Sequence, residues 1–240
     1  MNVYEIGSLA EKLSANTYPG RGIILGLTPD GTKSAAAYFI MGRSVNSRNR
    51  VFLPEPDGIR TEAHDPALLM DPSLIIYHPV RRYRDTLIVT NGDQTNTIRE
   101  YLQMGSDFES ALRTRCFEPD GPNWTPRISG ILDLKTGEYK LSILKSADPE
   151  GSSCLRQSFE YAPLPGLGHF LHTYVCDGAP IPSFQGEPER MEMTDDIDAF
   201  TARLWESLDR DNKISLYVCY TDLKTGEADT RIVNKHGEKE

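Results

Sequence analysis

The sequence predicts an α+β protein in which most sheet pairing is antiparallel. Short apolar segments are separated by tight-turn signals, which is the pattern of strands joined as hairpins. Two capping-box patterns, at residues 8–11 and 106–109, and a periodic segment at 194–208 predict helices. Helices packed outside two face-to-face sheets would bury the apolar face of every element. No linker-like segment divides the chain, so we expect one domain over residues 1–240.

Turn residues punctuate the first half of the chain. Tyr18-Pro19-Gly20 ends the first helix, and the turn at residues 29–31 joins two strands. The proline-rich residues 53–72 are expected to be loop, and residues 81–85 to be a polar connection. The predicted strands are residues 22–27, 34–41, 74–77 and 86–90, and the predicted helices are residues 9–15, 96–104 and 106–115.

The second half contains a repeated hexapeptide, Asp-Leu-Lys-Thr-Gly-Glu, at residues 133–138 and 222–227. Either a structural unit is duplicated, or two hairpins use the same turn chemistry, and we favour the second interpretation. The last predicted helix has Thr194 as its N-cap. The predicted strands of this half are residues 128–134, 139–144, 155–161, 169–175, 214–220 and 230–233.

The composition of the chain disfavours several classes of protein, namely general nucleic-acid binders, membrane-spanning proteins and secreted proteins. The chain has 240 residues and a formal net charge of -9, which disfavours general nucleic-acid binding because such proteins present basic surfaces. No apolar run approaches the roughly 20 residues that span a bilayer, and residues 1–15 lack the apolar core of a secretory signal. Four widely spaced cysteines predict reduced thiols in a cytoplasmic protein. Homo-oligomerisation stays open.

A run of arginines stands out in this acidic chain. Arg43, Arg48 and Arg50 are interleaved with small polar residues directly after a predicted strand. Guanidinium groups match phosphate through paired hydrogen bonds. The run therefore predicts a site for a phosphorylated small molecule, and the alternative is a solvated charged turn.

Three further polar segments are candidates for the same site. Residues 90–95 follow a strand and open a helix, so Asn91, Gly92 and Thr95 could contact a phosphate, a ribose or a base. Residues 118–127 gather Glu118, Thr125 and Arg127, and Tyr77 ends a predicted strand. Ordinary turn, connection and core roles are the alternatives. His169 and His172 fall on opposite faces of a strand, which argues against a shared metal.

These segments resemble the archaeal-type IMP cyclohydrolase family. The matching pieces are Tyr18-Pro19-Gly20-Arg21, the arginine run at 43–50, Tyr77, Thr90-Asn91-Gly92 with Thr95, and Thr125-Pro126-Arg127-Ile128. Their order and spacing cover about the first 130 residues. Beyond Leu144 the chain looks less archaeal, and residues 168–178 and 182–188 are similar to bacterial relatives that are described as cyclohydrolase-like.

The resemblance implies a four-layer αββα sandwich similar to N-terminal-nucleophile hydrolases. It also implies ring closure of a formamido-imidazole-carboxamide ribotide to IMP with loss of water. The family's catalytic arginine falls on Arg48, or on Arg50 if a short gap is allowed. Its tyrosine falls on Tyr77. Its glutamate falls on Glu118, which requires one inserted residue, Trp124.

These residue types suit that reaction. A cation or a phenol at Arg48 and Tyr77 would stabilise the developing oxyanion, and Glu118 could transfer protons if burial raises its pKa. The substrate-binding candidates are Arg21, Arg43, Arg50 and Arg127 for the phosphate, and Asn91, Gly92 and Thr95 for ribose and base. Thr125 is a further substrate-binding candidate. We expect no metal and no redox cofactor.

Two other functions compete with this one. An amide hydrolase of the N-terminal-nucleophile type would need Cys, Ser or Thr at a mature N-terminus, whereas the chain starts Met1-Asn2 and Thr17 follows a whole helix. The second alternative is a protein that keeps the nucleotide-binding pocket but has lost turnover. The sequence differs from the archaeal enzymes after Leu144, so this alternative stays open. A purely structural protein leaves the arginine run unexplained.

Overall fold

Two antiparallel sheets form the framework of the protein, which a computed structural model describes over residues 4–69, 72 and 75–237. The strands are β1 Arg21–Leu27, β2 Lys33–Met41, β3 Arg50–Glu55, β4 Gly58–Ala63, β5 Val80–Tyr83, β6 Thr86–Thr90, β7 Arg127–Asp133, β8 Tyr139–Ser146, β9 Cys154–Tyr161, β10 Leu167–His172, β11 Glu189–Glu192, β12 Lys213–Asp222 and β13 Ala228–Asn234. One sheet has the order β11-β10-β1-β2-β12-β13, and the other runs in chain order from β3 to β9. The predicted α+β class is therefore confirmed.

Within the described residues, five α-helices and one short 3₁₀ helix accompany the sheets. They are α1 Leu9–Ala15, α2 Val45–Arg48, α3 Gln94–Gln103, α4 Phe108–Arg113, α5 Ile197–Ser207 and the 3₁₀ helix Pro66–Leu68. No helix in the described ranges is long and apolar enough to cross a membrane.

Three apolar cores hold these elements together. In the first core, Leu13 and Leu204 of α1 and α5 cluster with side chains of the six-stranded sheet. The second core contains inward side chains of both sheets, and the third joins α3 and α4 to the seven-stranded sheet. The sheets come close at Gly130, where an added Cβ would lie 2.8 Å from Leu25 Cδ1. The central strand β2 is buried on both faces, which explains its apolar run in place of an alternating pattern.

The repeated hexapeptide is turn chemistry, as predicted. In the β7–β8 connection, Asp133 accepts from the N–H groups of residues 135 and 136, and in the β12–β13 connection Asp222 accepts from those of 224 and 225. Gly137 and Gly226 have φ of 77° and 74°, a left-handed conformation that glycine adopts without strain.

Strands between residues 50 and 83 differ from prediction. The stretch 53–72, predicted to be loop-rich, contains much of a hairpin of β3 and β4 in which Phe52, Ile59 and Thr61 are buried. Pro54 is compatible with β3 since this strand lies at a sheet edge. The predicted strand at 74–77 has its first residue outside the described residues, and 75–77 form no strand. The partner of β6 is β5, within the stretch predicted as a connection.

Several helix and strand boundaries also differ from prediction, most clearly at α4, α5 and β10. Asp107, not Ser106, caps α4 by accepting from the N–H of Ser110. Asp196, not Thr194, caps α5. Asp side chains accept these bonds as well as Ser or Thr, so each capping pattern admits either position. Strand β10 begins and ends earlier than predicted, and β11 and the four-residue α2 were missed.

His169 of β10 is a buried neutral imidazole. Its Nδ1 lies 2.7 Å from the Tyr139 hydroxyl, and its ring stacks on Tyr161 with centroids 3.7 Å apart. Burial, with a contribution from Arg190, lowers the pKa of His169 to about 4. The unfolded chain, with an ordinary pKa of 6.5, takes up a proton on this residue before the folded chain does. Stability from this residue is therefore present above pH 6.5 and is lost as the pH falls towards 4.

We predict that the free energy of unfolding falls by about 2 kcal/mol between pH 7.5 and pH 5 because of His169. Urea unfolding at the two pH values measures the change, and the His169→Phe variant should lack this part of it. Equal losses in wild type and variant would contradict the assignment.

Candidate active site

Three buried arginines each occupy the first position of a strand: Arg21 in β1, Arg50 in β3 and Arg127 in β7. Strand β1 belongs to the six-stranded sheet, whereas β3 and β7 belong to the other. All three arginines favour the ionised form of Glu118, so strand starts from both sheets act electrostatically on one carboxylate. We call these four residues and Tyr77 the arginine cluster.

Arg50 is fully buried and only partly hydrogen-bonded. Its Nε donates to the carbonyl oxygen of Ser47 at 2.8 Å. Neither Nη1 nor Nη2 has a hydrogen-bond partner in the described part of the chain. Burial lowers the pKa of Arg50, and Tyr77, Arg21 and Tyr38 also act on it. Because unpaired buried donors are costly and rare, this guanidinium marks a place where ligand oxygens would be bound favourably.

Tyr77 is held rigidly beside Arg50. Its N–H donates to Thr61 Oγ1 at 2.8 Å, and its carbonyl oxygen accepts from the N–H of Thr61 at 2.8 Å. The Tyr77 hydroxyl lies 2.9 Å from the hydroxyl of Tyr38 in β2. Burial raises the pKa of Tyr38, which keeps this neighbour protonated. The pair can therefore act as a neutral hydrogen-bonding relay.

Glu118 lies in the connection between α4 and β7 and is 3% exposed. Its N–H donates to the carbonyl oxygen of Thr125 at 2.9 Å, which closes the connection into a loop. Burial raises the pKa of Glu118, although Arg21, Arg127 and Arg50 oppose that rise. A carboxyl group with a raised pKa is suited to proton transfer near neutral pH.

Arg127 is oriented by the turn that precedes α3. Its Nη1 donates to Gln94 Oε1 at 2.7 Å and lies 2.8 Å from Asp93 Oδ1. An added Cβ at Gly92 would lie 2.3 Å from Arg127 Nη1, so only glycine leaves room for this contact. Burial disfavours ionisation of Asp93, but Arg127 and Arg115 lower its pKa overall. Arg127 is therefore paired, in contrast to Arg50.

Asn91 and Thr95 hold this turn with their side chains. Asn91 Oδ1 accepts from the N–H of Ile128 at 2.8 Å, and its Nδ2 donates to the carbonyl oxygen of Pro126 at 2.8 Å. Thr95 Oγ1 lies 2.6 Å from Thr90 Oγ1. Both residues are fully buried. The structure thus gives them a supporting position behind the arginine cluster.

The other arginines of the run lie outside the cluster. Arg48 is exposed in α2, where its Nε donates to the carbonyl oxygen of Gly42 at 2.9 Å and its Nη2 to Asn212 Oδ1 at 3.0 Å. Arg43 pairs with Asp177, and its guanidinium carbon lies 5.1 Å from the centre of the Tyr18 ring. Of the two arginines that the family resemblance allows, Arg50 is buried and interacts electrostatically with Tyr77 and Glu118, whereas Arg48 is exposed.

A polar cleft of about 230 Å³ adjoins the cluster. Tyr18 and Tyr174 stack in its wall with ring centroids 5.8 Å apart. The charged and amide groups of the wall are Arg21, Arg43, Asp120 and Asn123, and its hydroxyl groups include Ser44, Ser47 and Thr125. Tyr77 lines a separate cavity of about 440 Å³ together with Asp93 and Asn96.

Several of these residues escaped the sequence analysis. Tyr38 lies within an apolar strand, and Tyr174 reaches the 118–127 segment only through folding, so spacing carries no signal for them. Asp120 and Asn123 lie inside that segment, but no role was assigned to them. Tyr18 was part of the family motif without an assigned role. No group of three or more potential metal ligands occurs among residues 4–69, 72 and 75–237.

Comparison with known proteins agrees with the resemblance found in the sequence. The model of a family described as IMP cyclohydrolase-like protein matches residues 18–226. An IMP cyclohydrolase of Methanopyrus kandleri is 31% identical over 184 residues, which are 70% of this chain and 89% of the relative. An IMP cyclohydrolase of Methanococcus aeolicus is 26% identical over 164 residues, 66% of this chain and 75% of the relative. The chain therefore belongs to the IMP cyclohydrolase-like protein family.

Proposed function

We propose that this protein is an IMP cyclohydrolase. It closes 5-formamidoimidazole-4-carboxamide ribotide, a phosphorylated purine precursor, to IMP and releases water in de novo purine synthesis. The names of the archaeal relatives support this activity. The observation that carries it is the buried Arg50, whose two terminal nitrogens are unpaired and whose charge interacts with Tyr77 and Glu118.

The reaction moves two protons and expels one oxygen. The carboxamide nitrogen attacks the formyl carbon and loses one proton, a C–N bond forms, and the formyl oxygen gains negative charge. The C–O bond then breaks as the formamido nitrogen loses its proton and forms a C=N bond to the same carbon. The oxygen leaves with both protons as water, so substrate equals IMP plus H₂O. Both reacting groups belong to one molecule, and holding them in contact supplies much of the rate.

We assign the catalytic roles to Arg50, Tyr77 and Glu118, with Arg50 taking the role that the ungapped alignment gave to Arg48. The guanidinium of Arg50 and the phenol of Tyr77 stabilise the oxyanion, since fixed donors in a dry site stabilise developing charge strongly. Glu118 accepts the carboxamide proton and returns it to the departing oxygen.

The remaining candidates bind or support the substrate. Arg43 and Arg21 attract the 5′-phosphate from the polar cleft, and Thr125 lines the same cleft. Arg127 contributes positive charge, and Gly92 makes room for it. Asn91 and Thr95 fix the turn that carries Gly92, instead of meeting the ribose or base directly. The ring closure itself calls for no redox cofactor.

We also infer the finer architecture that the family resemblance implied. The three apolar cores support a helix, sheet, sheet, helix order over a single domain spanning residues 1–240, as in N-terminal-nucleophile hydrolases. A cytoplasmic location fits the acidic composition and the free cysteines.

Replacing Arg50 separates catalysis from stability. Arg50→Met should lower kcat about 100- to 1,000-fold, the loss typical of one oxyanion donor. The melting temperature should stay equal or rise, because the change removes an unpaired buried charge. Turnover is followed as the ultraviolet change between ribotide and IMP.

Arg48→Met is the matched control two positions away, and it should keep kcat within about threefold because surface substitutions of this kind perturb little. Strong loss in Arg48→Met with little loss in Arg50→Met would return the role to Arg48. Wild-type protein that binds IMP without any turnover would instead favour the nucleotide-binding alternative.

Glu118 should govern the acidic side of the rate profile. As a base it works only when ionised, so kcat/KM should rise with pH through its pKa, which burial raises above the ordinary 4.5. Glu118→Gln should remove this limb and lower the rate at least about 100-fold. Glu109→Gln, in α4 and paired with Lys140, is the control expected to keep the limb. An unchanged limb in Glu118→Gln would assign the base elsewhere.

A further inference from the structure

Asp120 presents a carboxylate to the polar cleft but takes no part in the mechanism above. It is half-buried, and both of its oxygens are held by Thr125: Oδ1 accepts from the N–H at 2.7 Å and Oδ2 accepts from the hydroxyl. Each carboxylate oxygen can accept a second hydrogen bond. The group is therefore fixed in place and still able to accept from a ligand.

A hydrogen-bond chain determines the direction of these bonds. Thr125 Oγ1 lies 2.6 Å from the Tyr174 hydroxyl. Because the single Thr125 hydroxyl proton goes to Asp120, Tyr174 must donate to Thr125. The chain from Tyr174 through Thr125 thus ends on Asp120 as an acceptor, and a ligand at Asp120 has to be a donor.

Asn123 places a donor beside this acceptor. Its Oδ1 accepts from the N–H of Ile181 at 3.0 Å, which orients the amide so that Nδ2 is the remaining group. In the described part of the chain Nδ2 donates to no protein group. The Asn123 N–H donates to the carbonyl oxygen of Asp120 at 3.2 Å, so one turn carries both side chains.

We propose that Asp120 and Asn123 form a subsite for the 2′- and 3′-hydroxyls of the ribotide, an inference that rests on the proposed function. A vicinal diol donates to the carboxylate and accepts from the amide, which matches the groups presented here. A carboxylate on ribose hydroxyls is a general device of nucleotide recognition.

Charge separates this subsite from the phosphate site. A phosphate dianion is repelled by Asp120 and attracted by Arg43, which lines the same cleft. Asp120 shares the wall of the cleft with Arg21, a member of the arginine cluster. We therefore place the phosphate nearest Arg43 and the ribose at Asp120.

The test compares the ribotide substrate with its 2′-deoxy analogue. Wild type should prefer the ribotide about 10- to 100-fold in kcat/KM, since a charged group loses a hydrogen bond with the analogue. Asp120→Asn should bring this ratio close to one. Asn123→Asp keeps an oxygen that accepts from the Ile181 N–H and leaves the bonds between Thr125 and Asp120 unchanged. It removes the Nδ2 donor, so it should also reduce the preference for the ribotide over the 2′-deoxy analogue.

Asp177→Asn is the control, because it removes a carboxylate that pairs with Arg43 and should change both substrates alike. Equal use of both substrates by wild type would overturn the subsite and leave the cyclohydrolase proposal intact. If wild type turns over neither, the proposed function fails, and calorimetry with IMP and 2′-deoxy-IMP decides the subsite: tighter binding of IMP upholds it, and equal or absent binding overturns it.

Discussion

Three guanidinium groups are withdrawn from water at the first positions of β1, β3 and β7, and the nearby carboxylates do not balance them all. Arg127 has Asp93, which leaves Arg21 and Arg50 facing the single carboxyl of Glu118. Buried positive charge without a full set of partners lowers the stability of a fold. The surrounding sheets, turns and loops must therefore supply enough stability to keep these guanidinium groups out of water. Hydrogen bonds from Tyr77 to Thr61 and from Arg127 to Gln94 fix the positions of two members of the cluster, and Gly92 leaves room for Arg127.

Antiparallel sheet pairing explains how distant parts of the chain meet at this charge. The six-stranded sheet contributes Arg21 and Tyr38, and the seven-stranded sheet contributes Arg50 and Arg127. The sheets pack against each other with Gly130 opposite Leu25. The hydroxyl of Tyr38 in β2 thereby comes within 2.9 Å of the hydroxyl of Tyr77, which precedes β5. The cluster therefore depends on sheet-to-sheet packing as much as on any local motif.

Local chemistry in the sequence predicted much of the fold and part of the site. Turn residues located the β7–β8 and β12–β13 hairpins, and the arginine run contains Arg50, the buried arginine of the proposed site. Pro54 led us to miss the β3–β4 hairpin. Edge strands such as β3 tolerate proline, whereas central strands do not. Within the run, spacing alone did not distinguish Arg48 from Arg50. The short helix α2 ends at Arg48 and strand β3 begins at Arg50, so the first side chain is exposed and the second is buried. The meeting of Tyr174, Thr125 and Asp120 is non-local and had no signature in spacing.

The free nitrogens of Arg50 have a consequence for the life of the protein in the cell. A molecule that supplies oxygens to them binds the folded chain and has no such site on the unfolded one. Mass action then stabilises the fold by about 2.7 kcal/mol when the ligand is present at 100 times its dissociation constant. The amount of folded protein, and its resistance to proteolysis, would consequently track the supply of purine nucleotide.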